Sequence, residues 1–67
     1  RNSSSFAADL HLIEAEYLAY TNLTPDKKAA LEALAAAPGF RLWWSGVAAE
    51  FDAGFADRVE RALGLPQ

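Results

Sequence analysis

Three prolines and four glycines punctuate this 67-residue chain so closely that no regular element can run far. Pro25 follows "TNLT", Pro38 is joined to Gly39, and Pro66 stands two residues after Gly64. Proline lacks the amide an inner helical turn needs, yet its fixed φ suits the first turn, and glycine supplies the left-handed backbone that ends helices. Between these marks alanine is abundant and valine, isoleucine and threonine are few, and no segment alternates with period two for long. Helix propensity is therefore high and strand propensity low almost throughout. The expected fold is all-α, a compact bundle of three or four short helices joined by short loops.

The first helix is expected over about Phe6 to Tyr20, with Ser4 or Ser5 as N-cap. Phe6, Leu10, Ile13, Tyr17 and Tyr20 recur there at three- and four-residue steps, and Asp9, Glu14 and Glu16 fall mostly off that face, so the helix reads as amphipathic. Thr21 and Asn22 favour a turn. Thr24 as cap, Pro25 at the first helical position and Asp26 at the positive end of the dipole then open a second helix, to about Ala36. Leu31 and Leu34 are its only large apolar side chains, and its alanines would let another helix approach closely. Phe40, one of the two tryptophans, Val47 and Phe51 follow helical spacing in a third helix of about three turns. Asp52 then either caps a fourth helix carrying Phe55, Val59 and Leu63, or the two segments run on together across Gly54 at a cost of about 1 kcal/mol. The break at Asp52 is the better choice, because the cap satisfies open amides.

A single domain of this size buries only about 60% of its unfolded surface, so its core is marginal unless something supplements it. With no cysteine and one histidine, neither disulfides nor a structural zinc site is available. Good helix packing or association with another chain remains. Six basic against nine acidic residues, the basic ones scattered, exclude a phosphate-neutralising nucleic-acid footprint. No run of eighteen apolar residues is present, so the quoted residues contain no membrane-spanning helix. The chain opens on Arg1 rather than methionine and is expected to be part of something longer, with membrane attachment only through residues upstream of Arg1. The compartment is left open, since a cysteine-free chain is compatible with cytosol and periplasm alike.

No catalytic constellation emerges. His11 is the only imidazole, in "DLHLIEAE", with Glu14 three residues on at the same helical edge. A di-iron bundle needs two Glu-x-x-His elements, and here the order is reversed and single. The serines stand without a Gly-x-Ser-x-Gly elbow. His11 is therefore expected to be an edge histidine and the carboxylates a solvated face, with Lys28–Glu32 and Asp57–Arg61 as outer-face pairs. The sequons at Asn2 and Asn22 are read as chance, Asn22 closing its turn. No cofactor or metal is expected.

The adjacent tryptophans in "PGFRLWWSG" carry the most weight. On a helix they project about 100° apart, so one is core and the other sits at the edge of the buried face. The core set drawn here is Phe6, Leu10, Ile13, Tyr17, Leu31, Leu34, Phe40, Trp43, Val47, Phe51, Phe55, Val59 and Leu63. That leaves Trp44 at the edge, with Arg41 three residues before it and able to lie over its ring for about 0.5–1 kcal/mol. Tryptophan, tyrosine and arginine are enriched in interface hot spots. The expected docking surface is thus Arg41 and Trp44 with Tyr17 and Tyr20, on a non-enzymatic accessory or assembly subunit that binds a larger protein or a second copy of itself. A small-molecule or cofactor-binding helical domain or enzyme fragment, and a membrane-peripheral domain, are the alternatives.

The stretch "APGFRLWWSGVAAEFDAGFADRVERAL", Ala37 to Leu63, resembles the C-terminal tail of a widespread group of uncharacterised bacterial proteins that carry an N-terminal transmembrane helix. The shared features are the Pro-Gly turn, the arginine, the paired tryptophan, Phe51, Phe55 and Val59. The resemblance implies no catalytic residues, and membrane anchoring only from residues other than these.

Overall fold

Each helix ends where its backbone amides or carbonyls find a local partner. The computed structural model describes residues 3–65, and the Asn2 sequon and Pro66 lie outside them. Its elements are α1 (Ser3–Tyr20), α2 (Pro25–Ala35), α3 (Phe40–Val47) followed by a 3₁₀ turn (Ala48–Glu50), and α4 (Ala53–Ala62). The fold class is all-α, as expected.

α1 begins earlier than expected, so Ser4 and Ser5 lie inside the helix and neither is its cap. Serine costs only a few tenths of a kcal/mol more than alanine in a helix, and the serine run prolongs α1 instead of starting it. α1 ends at Thr21, whose φ of 62° lies in the left-handed region and whose hydroxyl donates to the Tyr20 carbonyl at 2.6 Å. The start of α2 is as expected: the Thr24 hydroxyl accepts the Lys27 amide at 3.3 Å, with Pro25 in the first turn. Gly39, at φ 83°, turns the chain into α3. No heavy atom lies within 4 Å of where its Cβ would stand, so conformation and not space demands glycine there.

α3 is shorter than the three turns expected. Its last turn tightens to 3₁₀, and Phe51 is extended before Asp52 caps α4, its carboxylate accepting the amides of Gly54 (3.1 Å) and Phe55 (3.2 Å). Two bonds close the far end of α4: the Gly64 amide to the Arg61 carbonyl (3.0 Å) and the Leu65 amide to the Glu60 carbonyl (2.9 Å), with Gly64 at φ 77°. This is the glycine-terminated pattern that satisfies the last carbonyls of a helix.

All four helices point side chains into one core. It holds Phe6, Leu10 and Ile13 from α1, Leu31 and Leu34 from α2, Phe40 and Trp44 from α3, Phe55 and Val59 from α4, with Phe51 and Leu63. Phe6 meets Phe40 edge-on at 5.3 Å between centroids, and Phe51 meets Phe55 at 6.0 Å. Three residues of the expected core, Tyr17, Trp43 and Val47, are half-buried and pack against it from outside.

Candidate functional site

The tryptophan pair is divided the opposite way from expectation. Trp44 is 2% exposed, its indole parallel to the Phe40 ring (6.4 Å, 8°) and 5.3 Å from that of Phe51. Trp43 is the half-buried one, against Phe6 at 5.6 Å and Phe40 at 5.4 Å. Helical periodicity does not separate them: measured from the direction that bisects Phe40 and Val47, the two indoles stand about 50° to either side at 100° per residue. The choice is made after α3 ends. The 3₁₀ turn and the extended Phe51 swing the next aromatic ring to the Trp44 side, and that side closes.

Arg41 does not lie over Trp44. Its side chain is exposed and Nη2 donates to the Leu63 carbonyl, holding the C-terminal end of α4 against the start of α3. Tyr17 is also a scaffold residue. Its ring packs on Phe55 at 5.7 Å, the Arg58 guanidinium stands 5.8 Å from its centroid, and its hydroxyl is 2.8 Å from where a Cβ on residue 54 would be. Gly54, costly in a helix, makes room for this ring. Tyr17 thus sits over the first turn of α4 and Arg41 over its end, about 12 Å apart at 1.5 Å per residue, and the buried Trp44 is not part of any surface. Of the four, Tyr20, 65% exposed at the end of α1, and the exposed Arg41 are at the surface as expected, with Tyr17 half-buried and Trp44 enclosed.

His11 and Glu14 do meet, Nδ1 to Oε1 at 3.3 Å, and His11 stacks on Phe51 at 4.8 Å with 60% of its side chain exposed. Glu14 Oε2 accepts the Asp52 amide at 3.2 Å, so the carboxylate ties α1 to the cap of α4. Both acceptor oxygens are engaged in positioning. Among the described residues no three histidine, cysteine, aspartate or glutamate side chains are grouped to hold a metal.

No family model, no curated protein and no solved structure matches this chain. The surface of the chain itself is what remains to be read, and its most unusual element is α1. Leu12 is 63% exposed and Leu18 54%, whereas Asp9, Glu14 and Glu16 on the same helix are half-buried. Ala8, Leu12, Ala15 and Ala19 succeed each other at steps of four, three and four, all exposed, in a line that carries no charge. Helical spacing puts them opposite Phe6, Leu10, Ile13 and Tyr17. The amphipathic pattern expected of α1 is therefore absent: it is apolar on its inner face and on its outer one. This line was visible as a four-three-four spacing in the sequence, but the heavier aromatic and branched side chains of the inner face masked it.

The outer face continues into a groove of about 290 Å³ between α1 and α2, lined by the apolar Leu12, Ile13, Ala30, Ala33 and Leu34 and by one acid and one base, Asp9 and Lys27. Of the alanines at the end of α2 expected to let a helix approach, Ala33 and Ala36 are exposed and Ala35 and Ala37 are half-buried against the core. Among the described residues no helix is long and apolar enough to cross a membrane.

Proposed function

We propose that this chain is a non-enzymatic protein-interaction module, a small accessory or assembly subunit that docks on a larger protein through the outer face of α1. The observation that carries it is the inverted exposure of α1 away from its core stripe, where Leu12 and Leu18 are wetter than Asp9, Glu14 and Glu16. Scattered exposed leucines are ordinary on a soluble protein, but an uncharged line along one helix, continuous with a groove of mostly apolar lining, supports a surface that a partner covers. A helix apolar on two opposite faces is most stable when both are covered, and this one has neighbours on one side only. The alanines keep the line low, so a partner helix can approach its backbone, while Leu12 projects from it as an anchor and Leu18, about 90° around the helix, stands at its margin. The second tryptophan belongs to folding, and the docking surface moves from α3 to α1.

The test is capture of a partner with the tagged protein, followed by Leu12→Gln with Leu18→Gln. Glutamine matches leucine in helix propensity, so the doubly substituted chain keeps its fold and loses the partner. Retention of the partner by the doubly substituted protein would remove the proposal.

A further inference from the structure

The basic residues are scattered along the sequence but not in space. Lys28 on α2 and Arg58 and Arg61 on α4 line one groove of about 430 Å³, half of the six lysines and arginines in the chain. Leu31 and Leu23 give it an apolar floor, and Asn22 and Glu32 stand at its rim. With three cations and one carboxylate the lining carries a charge of +2, in a protein whose net charge is −3. Folding does not call for this arrangement. The pairs that helical spacing offers these cations, Lys28 with Glu32 and Arg61 with Asp57, are not formed, and among the described residues neither the Lys28 nor the Arg61 side chain has an ion-pair or hydrogen-bond partner. Lys28 also stands in the first turn of α2, the end of a helix dipole that disfavours a cation.

Arg58 is the placed member of the set. Its Nη2 donates to Asn22 Oδ1 at 2.9 Å and its guanidinium lies against the Tyr17 ring, two contacts that fix the fork without neutralising it. We propose that this groove is a binding site for a small organic dianion, its two charges met by Arg58, Arg61 and Lys28 and its apolar stem by Leu23 and Leu31. The volume suits a small molecule rather than a single ion. Guanidinium groups bind carboxylate or phosphate through paired N–H donors, and one such group already held in position loses little freedom on binding. The site is separate from the outer face of α1 and independent of the docking proposal.

The experiment is a nuclear magnetic resonance titration of the whole protein with glutarate, at constant ionic strength set by sodium chloride. Saturable shifts in the millimolar range at Asn22, Lys28, Arg58 and Arg61 are expected. Arg61→Gln and Lys28→Gln, both at exposed positions, each weaken binding about fivefold, the value of one charge contact of about 1 kcal/mol. Shifts that fail to saturate, that spread over the whole surface, or that persist unchanged in both variants overturn the site. Inorganic phosphate is expected to bind more weakly than glutarate, and equal binding would overturn the assignment of an organic stem.

Discussion

Replacing Trp44 separates a core side chain from a surface one by magnitude. Trp44→Ala removes an indole that is 2% exposed and packed between Phe40 and Phe51, a loss of about 3–5 kcal/mol for a large aromatic in a core. A domain of 67 residues has about 3–10 kcal/mol in total at 0.05–0.15 kcal/mol per residue, so this one change consumes much or all of it. Trp44→Phe is different in kind. The indole Nε1 is buried and has no hydrogen-bond partner among the described residues, a burden of about 1–3 kcal/mol that phenylalanine does not carry. Against that relief stand the lost apolar contact and a cavity of a few tens of Å³, about 1 kcal/mol at 24 cal/mol per Å³. The two nearly cancel. Thermal melts followed by circular dichroism should therefore find the alanine variant unfolded or melting more than about 15 °C lower, at 4–8 °C per kcal/mol for a chain of this size, and the phenylalanine variant within about 8 °C of the parent. An alanine variant that melts with the parent would show that Trp44 is not core. A phenylalanine variant that falls as far as alanine would show that the indole N–H has a partner.

Two further substitutions test the joints between helices. Asp52→Ala deletes both side-chain bonds to the α4 amides and should cost about 1–2 kcal/mol in urea unfolding with an unchanged m-value; an unaltered midpoint would contradict the cap. Gly54→Ala should destabilise the parent, because its Cβ meets the Tyr17 hydroxyl, yet stabilise a Tyr17→Phe background by up to about 1 kcal/mol through helix propensity. Additive effects of the two changes in a double-mutant cycle would refute the contact.

Local chemistry made much of this fold legible. Thr24 and Asp52 cap where their side chains can reach open amides, Gly39 and Gly64 turn where φ is positive, and Phe6, Leu10 and Ile13 keep one face by spacing alone. What escaped is what depends on partners far along the chain. Arg41 reaches Leu63, Glu14 reaches the Asp52 amide, and Arg58 reaches Asn22, separations of 22, 38 and 36 residues that no periodicity encodes. The Trp43–Trp44 choice is symmetric in α3 itself and is broken only by where Phe51 arrives. Gly54 carries a helix-propensity cost in the sequence, and its benefit, room for the Tyr17 ring, lies 37 residues away along the chain. The outer face of α1 was legible in principle, as Ala8, Leu12, Ala15 and Ala19 share a line, but exposure is a property of the assembled bundle: only once α2, α3 and α4 all pack on the other side is that line left uncovered.

The claim that α1 has a second, functional face is tested most directly by measuring partner capture and thermal stability on the same Leu12→Gln, Leu18→Gln protein. Exposed substitutions among residues of equal helix propensity change stability by about 0.5 kcal/mol or less apiece, so the melt should stay within about 8 °C of the parent while the captured partner disappears. A partner still held, or a partner lost only because the domain itself has unfolded, would contradict the account.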